Sequence, residues 1–391
     1  MPRETASGVL LGIDVGTTSV KVVVMSPAGH IAAEAASSAI PTASPAPGAA
    51  EQDAEDIWQA LVQAVRGAVA KLPDRRVLAV SMAVQSGSVV PIGNDRRAAG
   101  PVVLWMDTRS VSVVESWGPE LAREIREISG WTAAPGLGLS TLAWFQHAQP
   151  ASSQDATRFA SVDAYLMYRL TGLWVTNPSN AAGMQLMDVA ERTWSDTLCS
   201  VAGISSRQLP AIEATGNTIS ALSPEASQAT GLAPDTAVVA GGHDQACAAY
   251  GLGVRDPGTV LLSAGTAWVA TAPTEHGDVS RLPAQLNLSP HVQSNTWTAS
   301  QSLGGLGAMI AWWRDEICRD AQCIERDLGN TVPHMDAPLF VPALDDEQRT
   351  AWGHFDDGVV PRDDPGRSRS VIEAAAFGVR SALVGLDEAI G

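Results

Sequence analysis

Two stretches of this chain are built alike, and together they constrain the fold more than any other feature of the sequence. Residues 9–14 form an apolar run that ends in Gly16-Thr17-Thr18 and resumes with β-branched residues at 20–25. Residues 260–264 form a second apolar run, ending in Gly265-Thr266. Each reads as a strand, a tight glycine turn and a returning strand. Laying Gly265-Thr266 on Gly16-Thr17 places Ser263 where Asp14 stands. A duplicated domain explains the pair; a chance likeness between two β-hairpins is the alternative. A chain of 391 residues exceeds one ordinary core of about 100 to 200 residues, so two domains are expected in either case.

The surroundings of the first hairpin fix its class. A third strand is expected at 30–36 and a Pro/Ala/Ser/Gly loop at 41–50. Asp53 can cap a helix running to about Lys71, with Ile57, Leu61, Val65 and Leu72 on one face. Residues 77–84 then read as a buried strand. Three strands, a helix and a strand predict an α/β domain with a mixed sheet.

Composition narrows the partners. Hydrophobic residues are 45% and charged residues 17%, a globular balance rather than a disordered one. Twenty-five basic against 42 acidic residues give a net charge of −17, which repels nucleic-acid phosphates and anionic lipid and points to small molecules. Lys21 and Lys71 are the two lysines, so a lysine at a motif position carries extra weight. Cys199, Cys247, Cys318 and Cys323 form no C-x-x-C pair and read as free thiols of a reducing compartment. Residues 1–8 hold no apolar run behind a basic cluster, and the apolar stretch near 303–313 is far short of the roughly 20 residues that span a bilayer. A cytoplasmic protein is expected. The seven histidines show no metal-binding spacing, and Gly136-x-Gly138 and Gly251-x-Gly253 lack the setting of a dinucleotide loop. Asp345-Asp346-Glu347 and Asp363-Asp364 read as solvated loop charges, and Trp312-Trp313 as packing a helix into the second domain.

A Gly-Thr-Thr turn after a strand brings backbone N–H groups and hydroxyls close to a guest anion, as a nucleotide phosphate tail requires. Asp14 would stand at the same strand end, where a carboxylate can hold Mg²⁺ through water, and Lys21 lies on the returning strand. An ordinary hairpin with a carboxylate nearby is the plainer reading of this segment taken alone. Residues 238–245, Val-Val-Ala-Gly-Gly-His-Asp-Gln, form another apolar strand whose carboxylate, Asp244, lies at the exit where α/β sheets place catalytic groups.

In this order the landmarks resemble those of the FGGY carbohydrate kinases, the family that includes xylulokinase and glycerol kinase. They are Gly12-Ile13-Asp14-Val15-Gly16-Thr17-Thr18-Ser19-Val20-Lys21, Gln85 after a strand, Leu104-Trp105-Met106-Asp107-Thr108-Arg109, Tyr165-Leu166-Met167-Tyr168-Arg169-Leu170-Thr171-Gly172, Gly241-Gly242-His243-Asp244-Gln245 and Leu262-Ser263-Ala264-Gly265-Thr266. The resemblance implies two actin-like ATPase (ribonuclease H-like) domains around a cleft: a sugar-binding domain over 1–248 and a nucleotide-binding domain over 249–391. It implies ATP-dependent phosphorylation of a sugar or polyol, with Asp244 as general base and Asp14 serving Mg²⁺. Gly16, Thr17, Thr18, Lys21, Gly265 and Thr266 would attend the phosphates. Gln85, Trp105, Asp107, Arg109 and Gln245 would lie at the sugar; for Trp105, burial in the core is the rival role. A homodimer is compatible with the family.

Departures from the pattern are informative. Ser86-Gly87 follow Gln85 where xylulokinases carry Met-His, which puts xylulose itself in doubt. The family's Lys-Leu-x-Trp segment becomes Thr141-Leu142-Ala143-Trp144, and its Gly-Glu-Arg-Thr-Pro stretch becomes residues 346–351. Residues 370–378 resemble the family's late helix, which in relatives leads to a glycine-rich adenosine turn; the sequence reaches Gly391 before such a turn, so the second domain is expected to be incomplete. A sugar-binding or regulatory relative without phosphotransfer is the alternative, and a chaperone-type ATPase of the same superfamily a third reading. Trp105-x-Asp107-x-Arg109 with Gly242-His243-Asp244 favours the kinase over the last.

Overall fold

Burial alternates strictly along the first run. In β1 (Val9–Val15), Val9, Leu11, Ile13 and Val15 point into the core, leaving Leu10, Gly12 and Asp14 on the accessible face. The computed structural model describes residues 8–72, 76–148, 151–333, 338–343, 352–358 and 365–390. The stretches at 345–351 and 363–364 read from the sequence lie outside the described residues.

β1 pairs antiparallel with β2 (Val20–Met25), which pairs with β3 (Ile31–Ala36). Helix α1 (Ala54–Val69) follows, its N-terminus capped by the Asp53 carboxylate accepting from the Glu55 N–H, and it buries Ile57, Leu61 and Val65 against this sheet. β4 (Val77–Val84) runs parallel to β1. With β5 (Thr218–Ala221) and β6 (Ala237–His243) the sheet order is β5-β6-β4-β1-β2-β3, with β6 parallel to β4. This is the mixed sheet the sequence predicts. Its parallel strands β1, β4 and β6 end near Val15, Val84 and His243, so Gln85 and Asp244 leave the sheet at one edge.

Two compact units are present. The first comprises Met1–Gly253 with Glu275–Ser280 and Leu288–Trp297, the second Val254–Thr274, Arg281–Asn287 and Thr298–Gly391. The division placed at 248/249 from the sequence falls inside a helix, Asp244–Gly251, whose hydrogen-bond ladder runs on across it.

Within the second unit, β7 (Leu261–Ala264) pairs antiparallel with β8 (Trp268–Thr274), the hairpin read from the sequence. Trp313 is fully buried against Phe355 and Phe340, at ring separations of 5.8 and 6.4 Å, and its indole N–H donates to Ser368 Oγ at 3.0 Å. The late-helix motif lies in the long helix Pro365–Ile390. All four cysteines are free thiols, and among the described residues no helix is long and apolar enough to cross a membrane.

Candidate functional site

The first hairpin holds its charges where the sequence places them. Asp14 on β1 stands opposite Lys21 on β2 in the strand register. The turn between them is tied by the Gly16 N–H to Ser19 O at 3.2 Å and by Gln52 Nε2, which donates to Thr17 O at 2.7 Å. Gly16 does not take a positive φ, and a Cβ on it would meet only Ser19 O at an ordinary 3.6 Å. The protein's own packing therefore does not require glycine there; a guest coming close to the turn would.

Asp244 opens helix α2 (Asp244–Gly251) directly after β6. Two glycines make that exit. A Cβ on Gly241 would lie 1.8 Å from Met82 O of β4, and one on Gly242 would lie 2.3 Å from Val292 Cγ1. The Asp244 Oδ1 accepts from the Gln245 N–H at 2.7 Å and sits 3.0 Å from His243 Nε2. Burial works to raise its pKa, but the His243 hydrogen bond and charge, with the Gln245 N–H, outweigh burial and hold it below the ordinary aspartate value. Asp14 is shifted the other way: lost hydration first and the Asp244 charge second raise it, against an opposing pull from Lys21. Two carboxylates close enough to repel, pushed in opposite directions, are an arrangement that separates roles. Cys247, which the sequence reading passed over, faces the same two aspartates, and burial pushes its thiol up to about 12, so it stays protonated.

Gln85 follows β4, its N–H donating to Val15 O at 2.9 Å. The residue is 3% exposed, yet neither its side-chain oxygen nor its nitrogen has a hydrogen-bond partner in the protein. A buried amide with all its capacity unspent costs stability unless something else satisfies it. Trp105 is 43% exposed, which removes the core role set against it. Its backbone N–H is held by Ser88 Oγ at 3.1 Å, and Gly87, at φ +88°, lies so near that a Cβ there would meet Trp105 Cβ at 3.2 Å.

Asp107 and Arg109 have partners within the protein. Asp107 is buried, with Oδ2 accepting from the Ala50 N–H at 3.0 Å and both oxygens accepting from Arg109 Nε at 3.1 and 2.9 Å. Arg109 also pairs with Glu51 at 2.7 Å and lies over the Trp144 ring at 4.5 Å. These bonds tie the Trp105 loop to residues 50–51 and leave the expected sugar contacts of Asp107 and Arg109 as an expectation. Trp144 and Glu51 were missed because nothing in the spacing links them to Arg109.

Asp14, Gly16, Thr17, Thr18, Lys21, Gln85, Trp105, Asp244 and Gln245 thus belong to the first unit. Gly265 and Thr266 form the corresponding turn of the second, between β7 and β8. There Thr266 O accepts from the Ala308 N–H at 3.1 Å, and a Cβ on Gly307 would lie 1.9 Å from Gly265 O.

The sequence profile described as "FGGY family of carbohydrate kinases, N-terminal domain" matches residues 9–251. The chain is 30% identical over 305 residues to the xylulose kinase of Escherichia coli (strain K12), covering 77% of this chain and 62% of that protein. It is 28% identical over 338 residues to the autoinducer-2 kinase of Yersinia enterocolitica, again covering 62% of the relative. The chain therefore spans less than two thirds of the length of these relatives. Among solved structures, a xyloylose kinase from Brucella ovis superposes with a TM-score of 0.87 at 24% identity, covering 97% of this chain and 79% of that one. At that identity the likeness shows the fold, which is the actin-like α/β fold expected from the motifs.

Proposed function

The chain belongs to the FGGY family of carbohydrate kinases, and from that premise we propose that it takes part in ATP-dependent phosphorylation of a sugar or polyol hydroxyl, with Asp244 as the base. The observation that carries the reading is the pairing of an ionised, helix-opening Asp244 with Gln85, a buried amide with no protein partner, at the same sheet edge. An amide can both donate to and accept from a hydroxyl, which suits a polyhydroxylated guest. Trp105 offers an accessible aromatic face for the guest's carbon skeleton, and Gln245 a second amide one residue from the base. Asp107 and Arg109 hold the Trp105 loop.

Phosphoryl transfer needs little covalent help, so positioning and charge stabilisation carry most of it. In the proposed step the substrate hydroxyl gives its proton to Asp244, its oxygen bonds the γ-phosphorus, and the bond from that phosphorus to the ADP oxygen breaks. A carboxylate held below its usual range is a weak base, so it orients the hydroxyl early and takes the proton late. The Gly16–Thr18 turn with Lys21, and separately Gly265 and Thr266, would meet phosphate oxygens.

Mg²⁺ fits the donors present. No group of three or more His, Cys, Asp or Glu among the described residues is arranged to hold a metal ion by itself, but Mg²⁺ usually keeps several waters and takes one or two carboxylates plus substrate phosphates. Asp14, whose carboxyl is raised by lost hydration and by Asp244, is the side chain a divalent cation would relieve. When bound, the ion supplies charge neutralisation at the phosphates.

The substrate class is a sugar or polyol; Ser86-Gly87 beside Gln85 argue against assuming xylulose. The test is a titration with ATP, Mg²⁺ and a panel of ketopentoses, alditols, glycerol and gluconate, following ADP release. Sugar-dependent ADP release that falls about 10² to 10⁴-fold in Asp244→Asn, with sugar binding kept, supports the assignment. Sugar binding without ADP release would favour a regulatory relative, and near-normal turnover in Asp244→Asn would remove Asp244 from the base's role.

A further inference from the structure

Beside the ends of β4 and β6 runs a chain of buried polar side chains outside the assigned site. Asp163 Oδ2, in the first turn of the helix Val162–Thr171, accepts from Thr176 Oγ1 at 2.7 Å and from Asn177 Nδ2 at 3.3 Å. Asn177 caps the short helix Pro178–Gly183: its Oδ1 accepts from the Asn180 N–H at 3.0 Å and from Ser179 Oγ at 2.7 Å, while its Nδ2 also donates to Asn180 Oδ1 at 2.8 Å. Asn180 Nδ2 donates to Val84 O at 3.1 Å and reaches Gln85 O at 3.4 Å, and Ser179 Oγ accepts from the His243 N–H at 2.9 Å. Asp163, Thr176, Asn177, Ser179 and Asn180 are each 4% exposed or less.

The direction of every bond follows from its first member. An acceptor at Asp163 makes Asn177 present its NH₂ there and turn its oxygen to Ser179 and Asn180. The Asn177 NH₂ then holds the Asn180 oxygen, which aims the Asn180 NH₂ at the β4 carbonyls. Buried networks of this kind specify one geometry when their members are satisfied.

Where the chain of bonds ends is informative. Its outermost contacts fall on the backbone of Val84, Gln85 and His243, the residues through which β4 and β6 deliver Gln85 and Asp244. Just upstream the strand ladder is irregular: the β6–β4 register shifts between Val239 and Gly242. A bulge re-aims a strand end and interrupts its ladder bonds, so side chains must supply the missing constraint.

We propose that Ser179 and Asn180, oriented by Asp163 through Asn177, are positioning residues that set where Asp244 and Gln85 point. The inference rests on the phosphotransfer reading for its kinetic consequences and on geometry alone for its structural one. Ser179 acts at the Asp244 end, so its loss falls on kcat. Asn180 acts at the Gln85 end, so its loss also reaches the KM for sugar. A displacement of about 1 Å at a reacting group can cost on the order of 10²-fold in rate.

The experiment compares Ser179→Ala, Ser179→Thr and Asn180→Ala with the natural protein by steady-state kinetics, thermal melting and ¹³C-carboxyl titration of Asp244. The groups facing Asp244 are His243 beside it, Asp14 with Lys21 on the first hairpin, and Cys247 on its own helix. In Ser179→Ala, kcat should fall about 10 to 10²-fold with the sugar KM within about threefold. The Asp244 titration should move up towards the ordinary value as the His243 contact loosens, and threonine should restore most of both. In Asn180→Ala, kcat should fall and the sugar KM rise together. An Asp244 titration unmoved in both alanine variants overturns the positioning role whatever the activity. A kcat loss that tracks melting alone and is not rescued by threonine does so too. A moved titration in a protein that shows no sugar-dependent ADP release overturns the phosphotransfer reading and leaves the positioning intact.

Discussion

The hairpin β1–β2 of the first unit and β7–β8 of the second repeat one backbone device and share almost none of its charge. Asp14 faces Lys21 across the first; the matching position of the second is Ser263, paired with Val269. Both turn glycines have room for a Cβ, which would meet Ser19 O at 3.6 Å from Gly16 and Ala267 O at 3.7 Å from Gly265. Their supports differ as well. Gln52 and the Thr18–Ile40 backbone bond hold the first turn, whereas the glycine of a helix start, Gly307, presses against Gly265 O in the second. The hairpin geometry is therefore shared although the leading strand of the second, Leu-Leu-Ser-Ala, has no β-branched residue, and the charge of the first lies in the Asp14–Lys21 pair that Ser263 and Val269 replace. The first hairpin thus carries an Asp–Lys pair beside its turn, and the second an uncharged Ser–Val pair.

The hardest test of that contrast removes the strand-end side chain from each hairpin. Asp14→Ala should lower sugar-dependent turnover about 10²-fold and raise the Mg²⁺ requirement, with sugar affinity unchanged by calorimetry. Ser263→Ala should change turnover by less than about threefold; equal losses in the two would erase the distinction. A smaller effect separates what the turns do for the fold from what they do for a guest. Gly16→Ala and Gly265→Ala should each raise the KM for ATP about tenfold while shifting the melting temperature by no more than a few degrees, since alanine fits both turns in the protein itself. Large destabilisation in either would mean that the glycine serves the fold.

The smallest effect concerns a charge the second hairpin has no counterpart for. Asp163, fully buried, has its pKa raised to about 6 by burial, against the hydrogen bonds that lower it. A carboxyl whose folded pKa exceeds its unfolded value favours the native state at low pH, and that contribution is lost as pH rises through the folded value. The cost of keeping it ionised should therefore grow between about pH 4 and 6, to roughly 3 kcal/mol at most. Asp163→Asn should gain in melting temperature relative to the natural protein between pH 5 and pH 8. A melting difference independent of pH would show that Asp163 ionises as readily folded as unfolded.

The strands, the α1 face and the hairpins were legible because their signals are local. Val9, Leu11, Ile13 and Val15 alternate at period two, and Ile57, Leu61 and Val65 recur at helical spacing, so each segment announces its own buried side. Asp244 was readable at a strand exit because glycines at 241 and 242 precede it, although the reason for those glycines, the close approach of Met82 O and Val292, is not local.

The sequence by itself determined the α/β class, the two Gly-Thr hairpins, the ordered family motifs and the position of Asp244, because these depend on residues within a few positions of one another. Only the tertiary structure decided which side chains remain available. Asp107 and Arg109 read from the sequence as residues at the sugar, and the fold adds that they bond each other, the Ala50 N–H and Glu51. Gln85 looked no more distinctive than they did, yet it is buried with neither its side-chain oxygen nor its nitrogen partnered in the protein. Hydrogen-bond capacity is settled by neighbours that arrive from distant parts of the chain, such as Asn180 at Val84 and Ser179 at His243. No spacing along the sequence records those meetings.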